Sequence, residues 1–198
     1  TKFRPEIIAV NAVNRDLSIN SDFYDDKNKV LNEFGWHLTL TGATIYSRTA
    51  LSAIDKIVNG VHKNFPQVTL IFNHLSVSCS FYWVNERWIY SNGKKTSYWV
   101  KDIFQIFIDD WSNVIRNLQG CYDDGVKEKV IIKHSQKAKV FTLKSLAESR
   151  SKNVYNIHVF RAYSKLLAKH SGLRIIVLVM IAIVPKTVLR IFQAIKQI

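Results

Sequence analysis

The sequence predicts a mixed α/β domain followed by a helical C-terminal part. Segments with the β-branched and aromatic residues of strands alternate with helical patterns over residues 1–120, and helical patterns dominate after that point. The chain has 198 residues, of which 47% are apolar, and this suits one domain with a buried core, alone or followed by a tail. Its five Trp, eight Tyr and eleven Phe exclude a disordered chain.

Three segments are predicted as strands. Glu6–Val10 is a short apolar run typical of a buried strand. In Trp36–Tyr46 leucines alternate with threonines, and Gly42 marks a kink or a place where another group approaches the backbone closely. Trp88–Trp99 contains an Asn-Gly pair and predicts a β-hairpin. Residues 67–84 have the composition of a buried segment, but their periodicity does not distinguish a helix from a strand.

The remaining chain is predicted to be largely helical. Ser47 and Thr49 are candidate N-caps for a helix whose apolar stripe runs from Leu51 to Val61. Apolar residues recur every three or four positions over 101–118, which predicts an amphipathic helix with Gly120 as its C-cap. Further helices are predicted over 126–134, 143–149 and 154–170, the last ended by Ser171-Gly172.

The net charge of +13 is unevenly distributed along the chain. No acidic residue follows Glu148, whereas Lys and Arg continue to the end. Such a segment needs an anionic partner, and phospholipid headgroups, nucleic acid or a polyanionic substrate would serve. The two cysteines, Cys79 and Cys121, form neither a disulfide framework nor a metal-ligand cluster, so a reduced cytosolic setting is expected.

Residues 173–198 are predicted to form a basic amphipathic tail associated with a membrane. Ile175–Val184 is the most apolar run in the chain, but its ten residues are too few to cross a bilayer, which takes about 20. Cationic side chains flank this run and continue beyond it, so the tail suits the headgroup region of an anionic membrane. The cations that we expect to bind the membrane are Arg174, Lys186, Arg190 and Lys196. A core helix or strand packed against a missing part of the protein is the alternative.

The usual signatures of catalysis are absent from the sequence. The seven glycines are scattered, and the six histidines are isolated, which is more typical of surface or packed residues than of ligands. The pair Asp123 and Asp124 suggests either a carboxylate metal site or, as we favour, an N-cap for the helix that starts near Val126.

Several stretches together resemble the C-terminal part of bacterial family 2 glycosyltransferases. The first is Trp36–Arg48 (WHLTLTGATIYSR), which is similar to the acceptor-side strand and turn of the branch that includes abequosyltransferases. Phe65–Leu75 (FPQVTLIFNHL) also fits, as does the basic tail with Pro185-Lys186. A further match is Tyr122-Asp123 followed by Lys127 and His134. The resemblance covers most of the chain.

This resemblance implies a GT-A (Rossmann-like) fold that transfers a sugar from a nucleotide-sugar donor to a glycan or lipid-linked glycan of a surface polysaccharide. It implies a peripheral enzyme at the cytoplasmic face of the cell membrane. In the family an Asp-x-Asp motif holds Mn or Mg, and Asp22, Asp25 and Asp26 do not supply that motif in the right context. We therefore expect a fragment that begins at Thr1 and lacks the donor-binding half, with the metal ligands outside this chain.

The resemblance also implies a general base and an acceptor-binding strand. The family's acidic base is expected within 65–75, which holds His74 but no acid, so His74 and His37 are the candidate catalytic residues. Residues expected to contact the acceptor lie in the resembling strand, where plain strand packing is the alternative. They are Trp36 for stacking on a sugar, Thr39 and Thr41 for hydrogen bonds, and Gly42 for close approach.

The sequence thus suggests three parts with different tasks. Residues 1–120 are expected to form the acceptor-side α/β part, 121–172 a helical extension, and 173–198 the membrane-associated tail. A nucleic-acid-binding protein is one alternative, but the aromatic residues fall at core spacings and the cations alternate with aliphatic residues, so no nucleic acid partner is expected. A non-catalytic membrane-associated scaffold is the other alternative.

Overall fold

The computed structural model describes residues 4–15, 17–52, 64–90 and 98–189, and these residues form helices and one small mixed sheet. The predicted mixed α/β class is confirmed. The chain divides into two units. Unit 1 comprises Thr1–Lys95 and Asp110–His134, and unit 2 comprises Thr96–Asp109 and Ser135–Ile198. The division into acceptor, helical and membrane parts concerns function and stays a prediction.

The sheet of unit 1 has four strands in the order β2-β4-β1-β3. Its centre is a parallel pair, β1 (Ile7–Ala12) with β4 (Phe81–Ile89), and most β1 side chains are buried, as expected for a strand covered on both faces. Two short antiparallel strands flank the pair, β2 (Asp22–Tyr24) on β4 and β3 (Thr44–Tyr46) on β1. A parallel pair needs a long crossover connection, and α3 (Pro66–Val77) lies within it.

Four further helices belong wholly or largely to unit 1. They are α1 (Lys27–Phe34), α2 (Arg48–Ser52), α4 (Trp111–Arg116) and α5 (Asp124–Lys137), whose last residues lie in unit 2. Together with the sheet they enclose a core rich in aromatic rings, in which Phe34 lies 4.8 Å from Trp83 and 5.0 Å from Tyr24 between ring centroids.

Unit 2 is helical in the residues described. A π-helical segment, Gln105–Asp110, precedes α4, and all of it except Asp110 belongs to unit 2. Unit 2 also contains α6 (Leu143–Ser151), α7 (Ile157–Ser171) and α8 (Ile175–Ile183). The ring of Phe104 stacks on those of Phe141 and Tyr155, and the Tyr155 hydroxyl donates to the carbonyl of Leu178, which fixes α8 to this cluster. None of the helices in the described ranges is long and apolar enough to cross a bilayer.

The predicted strand over Trp36–Tyr46 is wrong for most of its length. Residues His37–Thr39 and Thr41–Ala43 form two 3-10 turns, and only Thr44–Tyr46 is a strand. Side chains from distant parts of the sequence stabilise these turns by binding their carbonyl oxygens. For example, Gln67 Nε2 donates to the carbonyl oxygen of Thr39 at 3.0 Å. The alternation of leucine and threonine reflects turns that bury Leu38, not a pleated strand.

The hairpin prediction also needs correction. Trp88 lies in β4, which ends at Ile89, but Tyr98–Val100 is a 3-10 turn and not the second strand. The Asn92-Gly93 pair lies outside the described residues. The undecided segment 67–84 contains most of α3 and the start of β4, and Pro66 occupies the first position of α3, where the missing N–H of proline costs nothing.

The remaining predictions are correct for most of the residues inside each element and less accurate for the residues at its ends. The strand over Glu6–Val10 is confirmed, and so are the helices predicted over 126–134, 143–149 and 154–170, which correspond to α5, α6 and α7. Gly172 ends α7 in the left-handed conformation at φ 69°. Ser47 Oγ accepts from the backbone N of Ala50, which supports Ser47 as the cap of α2. Gly120 is not the C-cap, because α4 ends at Arg116 and its C-cap residue is Asn117. The stripe from Leu51 to Val61 lies largely outside the described residues.

Gly35 provides a first test of the packing of α1. A Cβ at this position would meet the carbonyl oxygen of Leu31 at 2.6 Å and Cγ1 of Val130, on α5, at 3.0 Å. We expect Gly35→Ala to lower the free energy of unfolding by about 1–3 kcal/mol, because either helix must shift to make room. Urea denaturation would measure this change in the free energy of unfolding. Gly120→Ala is the control, because a Cβ at Gly120 meets nothing within 4 Å. Equal stability of the two variants would contradict the close approach.

Candidate functional site

The turn that carries the family resemblance is organised by Arg15. Its Nη1 donates to the carbonyl oxygens of Trp36 at 3.1 Å and His37 at 3.3 Å, and to Thr39 Oγ1 at 2.6 Å. The guanidinium also lies 5.7 Å from the centroid of the Trp36 ring. Burial lowers the pKa of Arg15 to about 10, which leaves it cationic at neutral pH. The cation therefore holds the turn in place.

His37 lies in the core of unit 1. Its side chain is fully buried, and Nε2 lies 2.9 Å from the carbonyl oxygen of Val10, which can only accept, so Nε2 carries the hydrogen. Burial lowers the pKa of His37 to about 4, and the nearby charge of Arg15 acts in the same direction. The imidazole is thus neutral at pH 7. A catalytic role for His37 stays a prediction, and its surroundings favour a structural one.

The four predicted acceptor residues do not share one environment. Trp36 is buried and presents no ring face to solvent, while Thr39 is half-buried and its hydroxyl is engaged by Arg15 and the Trp36 carbonyl. Thr41 and Gly42 are exposed on the second turn, next to the edge strand β3. Of the predicted set, only these two have the exposure that contact with an acceptor requires.

His74 has a carboxylate partner that the sequence analysis missed. Its Nε2 lies 2.7 Å from Oε2 of Glu6, which precedes β1, while His74 itself lies near the end of α3. The backbone carbonyl of Glu6 also accepts from the N–H of Ser47, so the pair lies beside the end of the resembling stretch. No local signal could have found it, because 68 positions separate the two residues. The structure therefore gives His74 and His37 separate surroundings.

The described residues contain no group of three or more His, Cys, Asp or Glu side chains that could hold a metal ion. Asp123 is the cap of α5, since its Oδ1 accepts from the backbone N of Val126 at 2.8 Å, and Asp124 lies 3.4 Å from Lys127 Nζ. The capping interpretation of this acidic pair is confirmed. Ligands for Mn or Mg outside this chain stay a prediction.

A second candidate site lies on unit 2, along the outer face of α8. The α8 stripe consists of Ile176, Met180 and Ile183, whose exposed fractions are 62%, 57% and 54%. Their spacing of four and three residues places them on one face of the helix. The opposite face carries Leu178, Ile181 and Ala182, which are buried.

Cations lie at both ends of α8. Arg174 is the N-cap residue of α8, and Lys186 lies three positions after Ile183, the last residue of the helix. The neighbouring Arg150, at the end of α6, donates from Nε to the carbonyl oxygen of Val184 at 3.0 Å, so it is fixed beside the C-terminal end of α8. Of the membrane-binding residues predicted from sequence, Arg174 and Lys186 thus flank the α8 stripe. Arg190 and Lys196 lie outside the described residues.

Comparisons with known proteins do not identify either site. No protein-family model, no curated protein and no solved structure matches this chain. The geometry of each unit and the resemblance of Trp36–Arg48 therefore carry the functional proposals.

Proposed function

We propose that the protein attaches peripherally to an anionic membrane through unit 2. The observation that carries this proposal is the α8 stripe, in which each side chain is more than half exposed. Contiguous exposed apolar surface is unfavourable in water and marks an interaction site. No acidic residue follows Glu148, so the partner of this surface is anionic.

The energetics favour an orientation in the plane of the membrane. Apolar surface gains about 25 cal/mol per Å² when it leaves water, and each Lys or Arg close to anionic lipid adds about 1 kcal/mol. The nine residues of α8 are too few to span the bilayer. A helix of this length with cations at both ends lies among the headgroups, with its apolar side facing the acyl chains.

Flotation with lipid vesicles tests this proposal. We expect the protein to bind phosphatidylglycerol vesicles more tightly than phosphatidylcholine vesicles, and added salt to weaken the binding because it screens the attraction. Met180→Glu is expected to weaken binding to phosphatidylglycerol about tenfold, since the carboxylate replaces an inserted apolar group and opposes the surface charge.

The control for this experiment is Val77→Glu, which introduces the same charge at an exposed apolar residue of unit 1. Equal binding of both vesicle types, or equal losses for the two variants, would reject the proposal. A gel shift with RNA or DNA is the companion measurement, because salt-sensitive binding there would favour the nucleic-acid alternative.

A second candidate function concerns unit 1, which we propose to be the acceptor-side part of a GT-A glycosyltransferase. The parent enzyme would transfer a sugar from a nucleotide-sugar donor to a glycan or lipid-linked acceptor at the cytoplasmic face of the membrane. The observation that favours this function is the pair of Glu6 and His74 beside the resembling stretch, Trp36–Arg48.

The geometry of the pair suits general base catalysis. The carboxylate accepts the hydrogen on Nε2 of His74, so the lone pair lies on Nδ1 and can take the proton of an incoming hydroxyl. The Glu6 carboxylate then stabilises the imidazolium that forms. A divalent metal, Mn or Mg, held outside this chain would neutralise the charge of the diphosphate that leaves the donor sugar.

Sugar transfer by the complete enzyme tests this role. His74→Gln is expected to lower kcat about a hundredfold, because the amide cannot take the proton. Glu6→Gln should lower kcat less, since it removes only the stabilising charge. His158→Gln, at an exposed histidine of unit 2, is the control. Unchanged kcat in His74→Gln would remove the base assignment.

A further inference from the structure

An apolar groove runs between α6, α8 and the residues that follow α8. Its volume is about 800 Å³, and its ten lining residues are all apolar. Leu143 and Ala147 line the side formed by α6, and Ile176 and Met180 the side formed by α8. A groove of this size falls within the range of small-molecule sites, which lies between about 300 and 1,000 Å³. Its lining suits a hydrocarbon.

A cation is held beside the groove. Val184 lines the groove, and its carbonyl oxygen accepts from Nε of Arg150 at 3.0 Å. This bond uses one of the five N–H donors of the guanidinium and orients the others, which suit the bidentate geometry of a phosphate. The nearest acidic residue in sequence, Glu148, lies 4.0 Å from Lys144.

We propose that this groove binds the hydrocarbon chain of a single anionic phospholipid, with the lipid phosphate on Arg150. The inference rests on the proposed membrane attachment, because the membrane supplies the lipid. It goes further, since a helix that only lies among headgroups needs neither a groove nor an oriented guanidinium. A second copy of this chain is a poorer occupant, because each copy carries a net charge of +13 and like charges repel across an interface.

The probe is palmitoyl lysophosphatidylglycerol, used below its critical micelle concentration and titrated calorimetrically into the full chain. Monopalmitoylglycerol has the same chain without the phosphate, and an octanoyl lysophosphatidylglycerol has the phosphate with a shorter chain. We expect the palmitoyl phospholipid to bind at least about tenfold more tightly than either. Equal affinities for the charged and uncharged palmitoyl lipids would overturn the phosphate assignment.

Two variants separate the groove from the cation. Ala147→Phe fills the groove and is expected to weaken binding about tenfold for both palmitoyl lipids. Arg150→Gln is expected to abolish the preference for the phospholipid over monopalmitoylglycerol while the latter binds as before. The matched controls are Leu166→Ala and Lys165→Gln, which alter an exposed apolar side chain and an exposed cation on α7, outside the groove. Equal losses in the controls would overturn the proposal.

Vesicle flotation of the same variants distinguishes the two proposals. Ala147→Phe should still bind phosphatidylglycerol vesicles, because the α8 stripe is intact. If the natural protein floats with vesicles but takes up no lysophospholipid, the groove proposal fails alone. If it binds lysophospholipid but no vesicles, membrane attachment fails and the groove remains a lipid site. A dimer that Ala147→Phe dissociates, with lipid binding unchanged, would assign the groove to a second copy and overturn the proposal.

Discussion

Replacing Trp83 with alanine is expected to lower the free energy of unfolding by about 3–5 kcal/mol. Trp83 is fully buried on the central strand β4, and its ring lies 4.8 Å from that of Phe34 and 5.1 Å from that of His37. Its Nε1 also donates to the carbonyl oxygen of Ile19 at 3.0 Å. The variant therefore leaves a cavity in the middle of the aromatic core and removes the partner of a carbonyl oxygen.

Urea denaturation followed by circular dichroism would measure this loss. The matched control is Trp88→Ala, five residues further along the same strand, where the indole is largely exposed. We expect that control to lie within about 0.5 kcal/mol of the natural protein, as surface substitutions usually do. Similar losses at both positions would show that Trp83 does not occupy the core described above.

Lowering the pH from 6.5 to about 4 should lower the free energy of unfolding by about 3 kcal/mol through His37 alone. The folded protein lowers the pKa of His37 to about 4 from an ordinary value of 6.5, chiefly because burial disfavours the charged ring. Below pH 6.5 the unfolded chain binds a proton that the folded chain refuses, so this stability is complete above pH 6.5 and is lost progressively down to about pH 4. If folding raised the pKa of His37 instead, the free energy of unfolding would increase as the pH falls.

The difference between two denaturation series isolates this effect. His37→Gln retains an N–H that can donate to the Val10 carbonyl, but its amide does not titrate. The variant is less stable at pH 7, and its deficit should shrink as the pH falls from 6.5 to 4, because only the natural protein loses the His37 contribution. The carboxylates titrate alike in both proteins and cancel. A deficit that stays constant with pH would contradict the buried, neutral imidazole.

The parts of the fold that the sequence predicted are those governed by local periodicity. The strand that begins at Ile7 and the helices α5, α6 and α7 owe their pattern to the residues within them, and their caps are local as well. The strand prediction for Trp36–Tyr46 is wrong because the conformation of this stretch depends on Arg15 and Gln67, which lie far from it in sequence. A pattern of alternating residues carries no information about such donors.

The candidate sites likewise combine features that are visible in the sequence with features that depend on tertiary packing. The apolar run of α8 and its flanking cations are visible in the sequence, but which of its faces stays exposed depends on tertiary packing, such as the bond from Tyr155 to Leu178. The sequence predicts His74 as a candidate but not its partner Glu6, because only the folding of α3 against β1 brings the two residues together. Nothing in the sequence distinguishes the buried His37 from an exposed histidine.

The chain passes between the two units three times, and this has a consequence for biosynthesis. Unit 1 takes its second segment from Asp110–His134, and that segment supplies Trp111 and Val130 to its core. On the ribosome, unit 1 therefore cannot finish folding until α5 has emerged, while Thr96–Asp109 must wait for the C-terminal helices of unit 2. No single proteolytic cut separates the two units intact, and a chain shortened to residue 120 loses part of the unit 1 core.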